Sequence, residues 1–191
     1  MIIIGILASV SAFADSGTAR YCAACHSETG NSESVLYPRL AGQASGYLVD
    51  QLKAFKAHTR QDPKHSMNAI AASLEDAQIQ EVADYFSKQV ATANNTTEVD
   101  ADLVKQGKSI YENGITAKNV MACAACHGAD GKGGGAFPVL AGQHASYLVA
   151  QLQSFKAGEL RKEATTMPAL VAGWDLEEAE AIAAYLQSLV K

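Results

Sequence analysis

The chain of 191 residues contains the same five-residue motif, Cys-Ala-Ala-Cys-His, at residues 22–26 and again at residues 123–127. Two thiols three positions apart can each add to one vinyl group of a porphyrin, and the His that follows then lies under the iron as its proximal ligand. The two copies account for all 4 cysteines, and the sequence therefore predicts two covalently bound haem c groups. The predicted thioether sites and proximal iron ligands are Cys22, Cys25 and His26 in the first copy, and Cys123, Cys126 and His127 in the second.

Three other uses of paired cysteines fit the motif less well. Four cysteines could form two disulfides, a Cys-x-x-Cys pair could be a redox centre, and two pairs could bind structural zinc. The disulfide and redox alternatives leave the His after each second Cys unexplained. A zinc site prefers a compact cluster of four ligands, whereas the two pairs lie 101 positions apart.

A second repeat shows that the duplication extends beyond the haem motifs. The sequence Pro-x-Leu-Ala-Gly-Gln begins at Pro38 and again at Pro138, and Tyr-Leu-Val-x-Gln-Leu begins at Tyr47 and again at Tyr147, each pair 100 positions apart. Such self-similarity at a fixed offset indicates duplication of a whole structural unit. We therefore predict a first domain at residues 15–90, a polar and exposed linker at residues 91–100, and a second domain at residues 101–191.

Each half is predicted to be helical. Apolar residues follow one helix face over residues 47–55 and 147–155, which predicts a buried core face on both helices. A closing helix is expected in each half, over residues 75–88 and 175–189, the second of them capped by Asp175.

The opening helices are expected to differ between the halves. In the second half a helix over residues 102–113 should end near Gly114, whereas the first half leaves room for a much shorter one. No stretch alternates between apolar and polar residues with a period of two, so no sheet is expected. The predicted fold class is all-α, with two tandem domains related by internal duplication.

The N-terminus is typical of an export signal. An apolar run over residues 2–10 is too short to span a bilayer, and Ala12-Phe13-Ala14 fits a small-x-small cleavage site. We predict a signal peptide at residues 1–14, cleaved after Ala14, although no basic residue precedes the apolar run. Export suits thioether-linked haem, so the predicted location is the periplasm. The net charge of −5 gives no indication of a nucleic-acid partner.

Two methionines are candidates for the distal iron position. Met67 and Met167 keep the repeat offset and follow the haem His by 41 and 40 residues. A thioether ligand favours ferrous iron and raises the reduction potential, which suits electron transfer. In the first half the neighbouring His65 and the more distant His58 are alternatives, whereas His144 is expected at the surface.

The repeated prolines are candidates for a supporting role. Pro38 and Pro138 follow the haem His by 12 and 11 residues, where a loop carbonyl could bind the other ring nitrogen of His26 and His127. Such a contact would fix the tautomer and the orientation of each ring. The repeated Tyr and Phe residues are most simply core.

The tandem haem motifs, Pro-x-Leu-Ala-Gly-Gln, the Tyr-Leu-x-x-Gln-Leu-x-x-Phe-Lys helix and a Met in each half resemble the cytochrome c4 family. The resemblance implies two class I cytochrome c folds with approximate two-fold symmetry and the haem propionate edges meeting between them. It also implies His and Met ligands on both irons. As function it implies a periplasmic electron carrier, not an enzyme, between a quinol-oxidising complex (quinol–cytochrome c reductase) and a terminal oxidase. Peripheral association with the membrane is left open.

Two rival classes remain to be tested. A two-haem peroxidase or sulfur-compound oxidoreductase would need one open iron position, and a Met in each half argues against that. A haem sensor would need a fused output domain.

Charge also distinguishes the halves, because residues 15–100 carry 7 Lys and Arg against 11 Asp and Glu, and residues 101–191 carry 8 against 9. The more acidic half should hold the haem of lower potential, since a negative field stabilises ferric iron.

Overall fold

The structure, a computed structural model, describes residues 17–189. The predicted signal peptide at residues 1–14 lies outside the described residues. Among the described residues, the first half contains four helices: α1 (Gly17–His26), α2 (Ser45–Lys56), α3 (Ser66–Ala72) and α4 (Asp76–Ser87). The second half contains five helices and a short 3-10 turn: α5 (Ala101–Asn113), the turn (Thr116–Lys118), α6 (Ala124–His127), α7 (Ala145–Ala157), α8 (Met167–Val171) and α9 (Leu176–Ser188). Over residues 17–189 the extended pairing is limited to isolated bridges, so the all-α prediction is confirmed.

The two halves repeat one packing pattern. In the first, α2 packs against α3 and α4, and in the second α7 packs against α8 and α9. Each half has its own cluster of buried apolar residues, one around Phe86 and the other around Tyr111. The domain boundaries themselves stay a prediction.

Both closing helices begin with a capping box. In α9 the Asp175 carboxylate accepts the backbone N–H of Glu178, and the Glu178 side chain accepts the N–H of Asp175. In α4 Glu75 and Gln78 make the same reciprocal contacts. These contacts satisfy N–H groups that the first turn of a helix leaves without partners, and each cap contributes about 1 kcal/mol. The cap at Asp175 confirms the sequence prediction.

The opening helices differ in how they meet the haem motif, because α1 runs into the motif whereas α5 ends ten residues before it. The long helix α5 crosses α9 at Gly107, where a Cβ atom would lie 1.9 Å from the carbonyl oxygen of Ala181. That close approach requires glycine. In the first half α1 already contains Cys22, and Ala19 packs into the core that includes α4.

A different tyrosine supports the loop after the haem motif in each half. In the second half Tyr111 of α5 is fully buried and its hydroxyl donates to the carbonyl of Gly128 at 2.5 Å. In the first half Tyr85 of α4 donates to the carbonyl of Glu28 at 2.9 Å. The closing helix therefore provides a support in the first half that the opening helix provides in the second.

The residue after the first haem motif has an unfavourable backbone conformation. Ser27 has φ 69°, and the corresponding residue in the second half, Gly128, has φ 77°. Glycine adopts such angles freely, whereas the Cβ of a serine makes them unfavourable. We expect Ser27→Gly to raise the free energy of unfolding by about 0.5–1 kcal/mol and Gly128→Ser to lower it by about 1 kcal/mol. Urea denaturation of the haem-loaded protein measures both, and changes of equal sign in the two variants would contradict this account.

The connection between the halves is only partly exposed. Asn95 is exposed as the linker prediction requires, but Asn94 is 8% exposed and donates to the carbonyl of Gly142 at 3.1 Å. Gln187 of α9 donates to Thr97. Most of residues 91–100 are exposed, as predicted, and the exception is Asn94, which the second half buries. None of the helices within residues 17–189 has the length and apolar character needed to cross a membrane.

Candidate haem sites

The predicted proximal histidines occupy equivalent positions in the two halves. His26 ends α1 and is 6% exposed, and His127 ends α6 and is 8% exposed. Nδ1 of His26 lies 2.8 Å from the carbonyl oxygen of Pro38, and Nδ1 of His127 lies 3.3 Å from that of Pro138. The carbonyl contact that the sequence predicts is thus present in both halves.

This contact determines what each imidazole can do. Burial lowers the pKa of His26 and of His127, and the Pro carbonyls offset this only in part. Both rings are therefore neutral near pH 7. Because a carbonyl can only accept, Nδ1 carries the proton and Nε2 carries the lone pair that a metal needs.

None of the four cysteines forms a disulfide. Cys22 and Cys123 pack against the apolar cluster of their own half. Before a haem is attached, burial raises the pKa of the Cys22 thiol and raises that of the Cys123 thiol to about 11. Within residues 17–189 no group of three or more His, Cys, Asp and Glu side chains could hold a metal ion, so the zinc alternative has no site there. Paired thiols against an apolar core beside a neutral, oriented His fit a covalently bound haem.

The predicted distal methionines pack against the same clusters as the cysteines. Met67 contacts the first cluster and Met167 the second. Met67 lies in the first turn of α3, where its N–H donates to the Asp62 carboxylate at 2.8 Å, and Met167 begins α8. Each half therefore brings its Cys and its Met to one apolar core.

The alternative ligands of the first half lie at the surface. His65 is the exposed N-cap residue of α3 with φ 55°, and His58 is exposed with φ 57°. Buried Asn68 holds the intervening loop by donating to the carbonyls of Phe55 at 2.9 Å and Arg60 at 2.8 Å. This arrangement favours Met67 over either His as the inward-facing residue.

One sequence prediction about histidine is wrong. His144 is fully buried, not at the surface, and its Nδ1 lies 3.2 Å from Nδ2 of Asn94 and 3.1 Å from Oγ1 of Thr96. The error arose because the first half has Ala44 at the aligned position. The side chain is buried by the linker, whose packing the repeat pattern does not predict.

The contact between the halves is built from two glutamines that the sequence analysis did not single out. Gln143 accepts from the N–H of Arg39 and donates to its carbonyl, both at 2.9 Å. Gln43 accepts from the N–H of Val139 at 2.8 Å and donates to its carbonyl at 2.9 Å. Both glutamines end a Pro-x-Leu-Ala-Gly-Gln repeat, and this recurrence was the only sequence signal for them.

Two buried arginines form a second part of the contact. The guanidinium groups of Arg60 and Arg161 lie over the rings of Phe55 and Phe155, at 4.4 and 4.2 Å from their centroids. Arg60 also donates to the hydroxyl of Tyr147 at 2.8 Å across the interface. Of the repeated tyrosines, predicted as core, Tyr147 therefore serves the interface between the halves, whereas Tyr185 lies in the second apolar cluster as predicted.

Further polar groups join the two arginines. Gln51 and Gln151 each accept from both guanidinium groups, and Glu163 is the carboxylate that pairs with Arg161. The paired arginines, stacked on aromatic rings and sharing acceptors across the interface, fix the two halves in one relative position.

Comparison with known proteins agrees with this architecture. The family model described as cytochrome c matches residues 16–89 and 104–190. Cytochrome c4 from Azotobacter vinelandii is 33% identical over 193 residues, covering 95% of this chain and 90% of that relative. The crystal structure of reduced recombinant cytochrome c4 from Pseudomonas stutzeri has a TM-score of 0.83 at 32% identity, covering 91% of this chain and 95% of that one. A thiosulfate dehydrogenase electron acceptor from Stutzerimonas stutzeri (strain A1501) is 32% identical, covering 88% of this chain and 78% of the relative.

Two helical domains, each with a haem-attachment motif and a buried, oriented His, define a tandem class I c-type cytochrome. The chain belongs to the cytochrome c4 family. It is a dihaem c-type cytochrome of electron transfer, with two covalently bound haem c groups. The family resemblance, the fold class and the cofactors that the sequence predicts are thereby confirmed.

Proposed function

We propose that His26 and Met67 hold the first iron and that His127 and Met167 hold the second. The four cysteines provide the thioether links. The observation that carries this proposal is the repeated pairing of a buried His, held at Nδ1 by a Pro carbonyl, with a Met on the same apolar core.

The residues around each haem have distinct tasks in electron transfer. The haem iron, when bound, accepts and releases one electron. The Pro38 and Pro138 carbonyls hold the proximal rings, so that neither ligand has to move when the charge changes. A Met at the sixth position favours the ferrous form and leaves no site for a substrate. The chain therefore carries electrons without chemistry on a substrate.

Carbon monoxide separates this function from the enzymatic alternative. A ferrous haem with two protein ligands has no open position, so the reduced protein should bind carbon monoxide slowly and substoichiometrically at neutral pH. Rapid, stoichiometric binding to either haem would instead indicate an open iron and favour a peroxidase-like or oxidoreductase activity.

We further propose that the protein works in the periplasm, after cleavage of the signal peptide at residues 1–14, between a quinol-oxidising complex and a terminal oxidase. Its support is the family resemblance and the export-type N-terminus. The purified protein should be reduced by quinol–cytochrome c reductase with quinol and reoxidised by the terminal oxidase. Turnover by neither complex would contradict this placement.

A second candidate role is to accept electrons from a thiosulfate dehydrogenase. The similarity to an acceptor of that kind, over most of both chains, favours it. The test is reduction by thiosulfate with and without a thiosulfate dehydrogenase, compared with reduction by quinol and its reductase. The physiological donor should reduce the protein at the higher rate at low ionic strength, where charge steers association.

We also expect the first haem to have the lower reduction potential. The first half is the more acidic, and its His–carbonyl contact is the shorter, 2.8 Å against 3.3 Å. Both effects favour ferric iron, the second because a stronger hydrogen bond makes the ring a better donor to the metal. In a redox titration, Met67→His should shift the transition of the first haem and so identify it. If the transition at the higher potential shifts, the first haem has the higher potential, not the lower.

A further inference from the structure

One peptide group links the first proximal His to the opposite half of the molecule. The carbonyl of Pro38 binds Nδ1 of His26 at 2.8 Å. The N–H of the same peptide group, carried by Arg39, donates to Oε1 of Gln143 at 2.9 Å. The chain of contacts therefore runs from the ring of His26, through one peptide group, to a side chain of the second domain.

The second half repeats this arrangement in the other direction. The carbonyl of Pro138 lies 3.3 Å from Nδ1 of His127, and the N–H of the same peptide group, on Val139, donates to Oε1 of Gln43 at 2.8 Å. Gln43 belongs to the first domain. Each domain thus places a carboxamide on the peptide group that supports the other domain's His.

Both carboxamides are held in place. The Nε2 atom of Gln143 donates to the carbonyl of Arg39, and that of Gln43 donates to the carbonyl of Val139, each at 2.9 Å. The two glutamines are 5% and 6% exposed. Water therefore competes little for these contacts, and each glutamine side chain makes two hydrogen bonds to the backbone of the other half.

The electronic consequence follows from cooperativity in hydrogen-bond chains. A peptide group whose N–H is engaged by an acceptor is more polarised, and its C=O accepts more strongly. Stronger acceptance from Nδ1–H makes an imidazole more basic toward a metal on Nε2. A more basic ligand stabilises ferric iron and lowers the reduction potential.

We propose that Gln143 is a positioning residue for the first haem and Gln43 for the second, each acting across the domain interface through the Pro peptide group. The inference rests on the proposed ligation by His26 and His127. It differs from a purely structural role in one respect. Each glutamine should change the reduction potential of the haem in the other domain and not that of the haem in its own domain, which we call a crossed effect.

The test is a redox titration of Gln143→Leu and of Gln43→Leu in the haem-loaded protein. In Gln143→Leu the ferrous-to-ferric ratio of the first haem, measured at a fixed potential, should rise about threefold. This corresponds to a rise of about 30 mV in its reduction potential, at 59 mV per tenfold change. The second haem should be unchanged. Gln43→Leu should give the reverse pattern with a smaller change, because the contact of His127 with Pro138 is the longer one.

A spectroscopic readout accompanies the titration. The proton NMR signal of His26 Nδ1–H should move upfield in Gln143→Leu, while that of His127 stays in place. If Gln143→Leu does not fold, Gln143→Asn repeats the test, because its shorter carboxamide does not reach the N–H of Arg39. Gln51→Leu is the matched control, since Gln51 lies at the interface but binds Arg60 and Arg161, not a Pro peptide group. It should give no crossed shift.

The outcomes separate the inference from the proposed function. An equal shift of both haems, a shift confined to the glutamine's own domain, or a crossed shift in Gln51→Leu would overturn the inference. If the wild-type protein lacks hyperfine-shifted signals from His26 and His127, the ligation itself is wrong. If these signals are present but do not shift in the glutamine variants, the proposed effect of the glutamines on the opposite haem is wrong and the ligation still holds.

Discussion

Met167→Ala is expected to remove half of the far-red absorption that Met–iron bonds give to the ferric protein. The same variant should lower the potential of one haem by on the order of 0.1–0.3 V, within the range of about 0.8 V over which axial ligands set haem potentials. The reason is that the thioether stabilises ferrous iron and no other described residue of α8 can replace it. Absorption spectra and a redox titration measure both effects.

Met121→Ala is the control for that substitution. Met121 is 60% exposed and precedes the haem motif of the same half, so its loss should alter neither the band nor the potentials. An unchanged far-red band in Met167→Ala would show that Met167 does not bind the iron.

The first haem requires its own comparison because His65 stands two residues before Met67. Met67→His should remove the half of the far-red band that comes from the first haem and lower the reduction potential of that haem. His65→Ala should change neither. If His65→Ala moves a wave and Met67→His moves none, the first iron is held by two histidines.

The double substitution Cys123→Ala/Cys126→Ala is expected to leave one haem per chain and to unfold most of the second half. Each half is under about 100 residues, a size at which a buried apolar core is marginal without further support. The second cluster contains three Ala among its twelve buried residues, and the haem would add apolar volume to it. Intact mass should fall by one haem, and the helical circular dichroism signal by roughly half.

The matched variant tests whether the first half depends on its haem in the same way. Cys22→Ala/Cys25→Ala should likewise remove one haem and the helical signal of α1 to α4. Either double variant that loses its haem yet keeps the full helical signal and cooperative unfolding would show that the core is sufficient without the cofactor.

The elements that the sequence predicts well are those determined by local chemistry. The helix that ends at Asn113 has its C-cap at Gly114 with φ 70°, and Asp175 caps α9. The haem motif needs no tertiary information, because the spacing of thiols and imidazole is itself the site. The carbonyls of Pro38 and Pro138 could be anticipated because a Pro follows each haem His at nearly the same distance, 12 and 11 residues.

Several features that the sequence did not predict concern the contact between the halves. Helical periodicity shows that the Tyr47 face of α2 is buried, but it does not say against which surface. The sequence gives no sign that Arg60 and Arg161 meet, and the fold pairs them in an isolated antiparallel bridge beyond the ends of α2 and α7. The burial of His144 and Asn94 has the same origin, because a polar linker gives no signal of the surface that it covers.

In the proposed ligation, the two haems of each chain have one His and one Met ligand each. The most direct measurement is the far-red absorption of the oxidised, wild-type protein, calibrated by haem and protein determination on the same sample. We expect two haems per chain and a band intensity equal to that of one Met–iron bond per haem. A band of half that intensity, or none, at two haems per chain would contradict it.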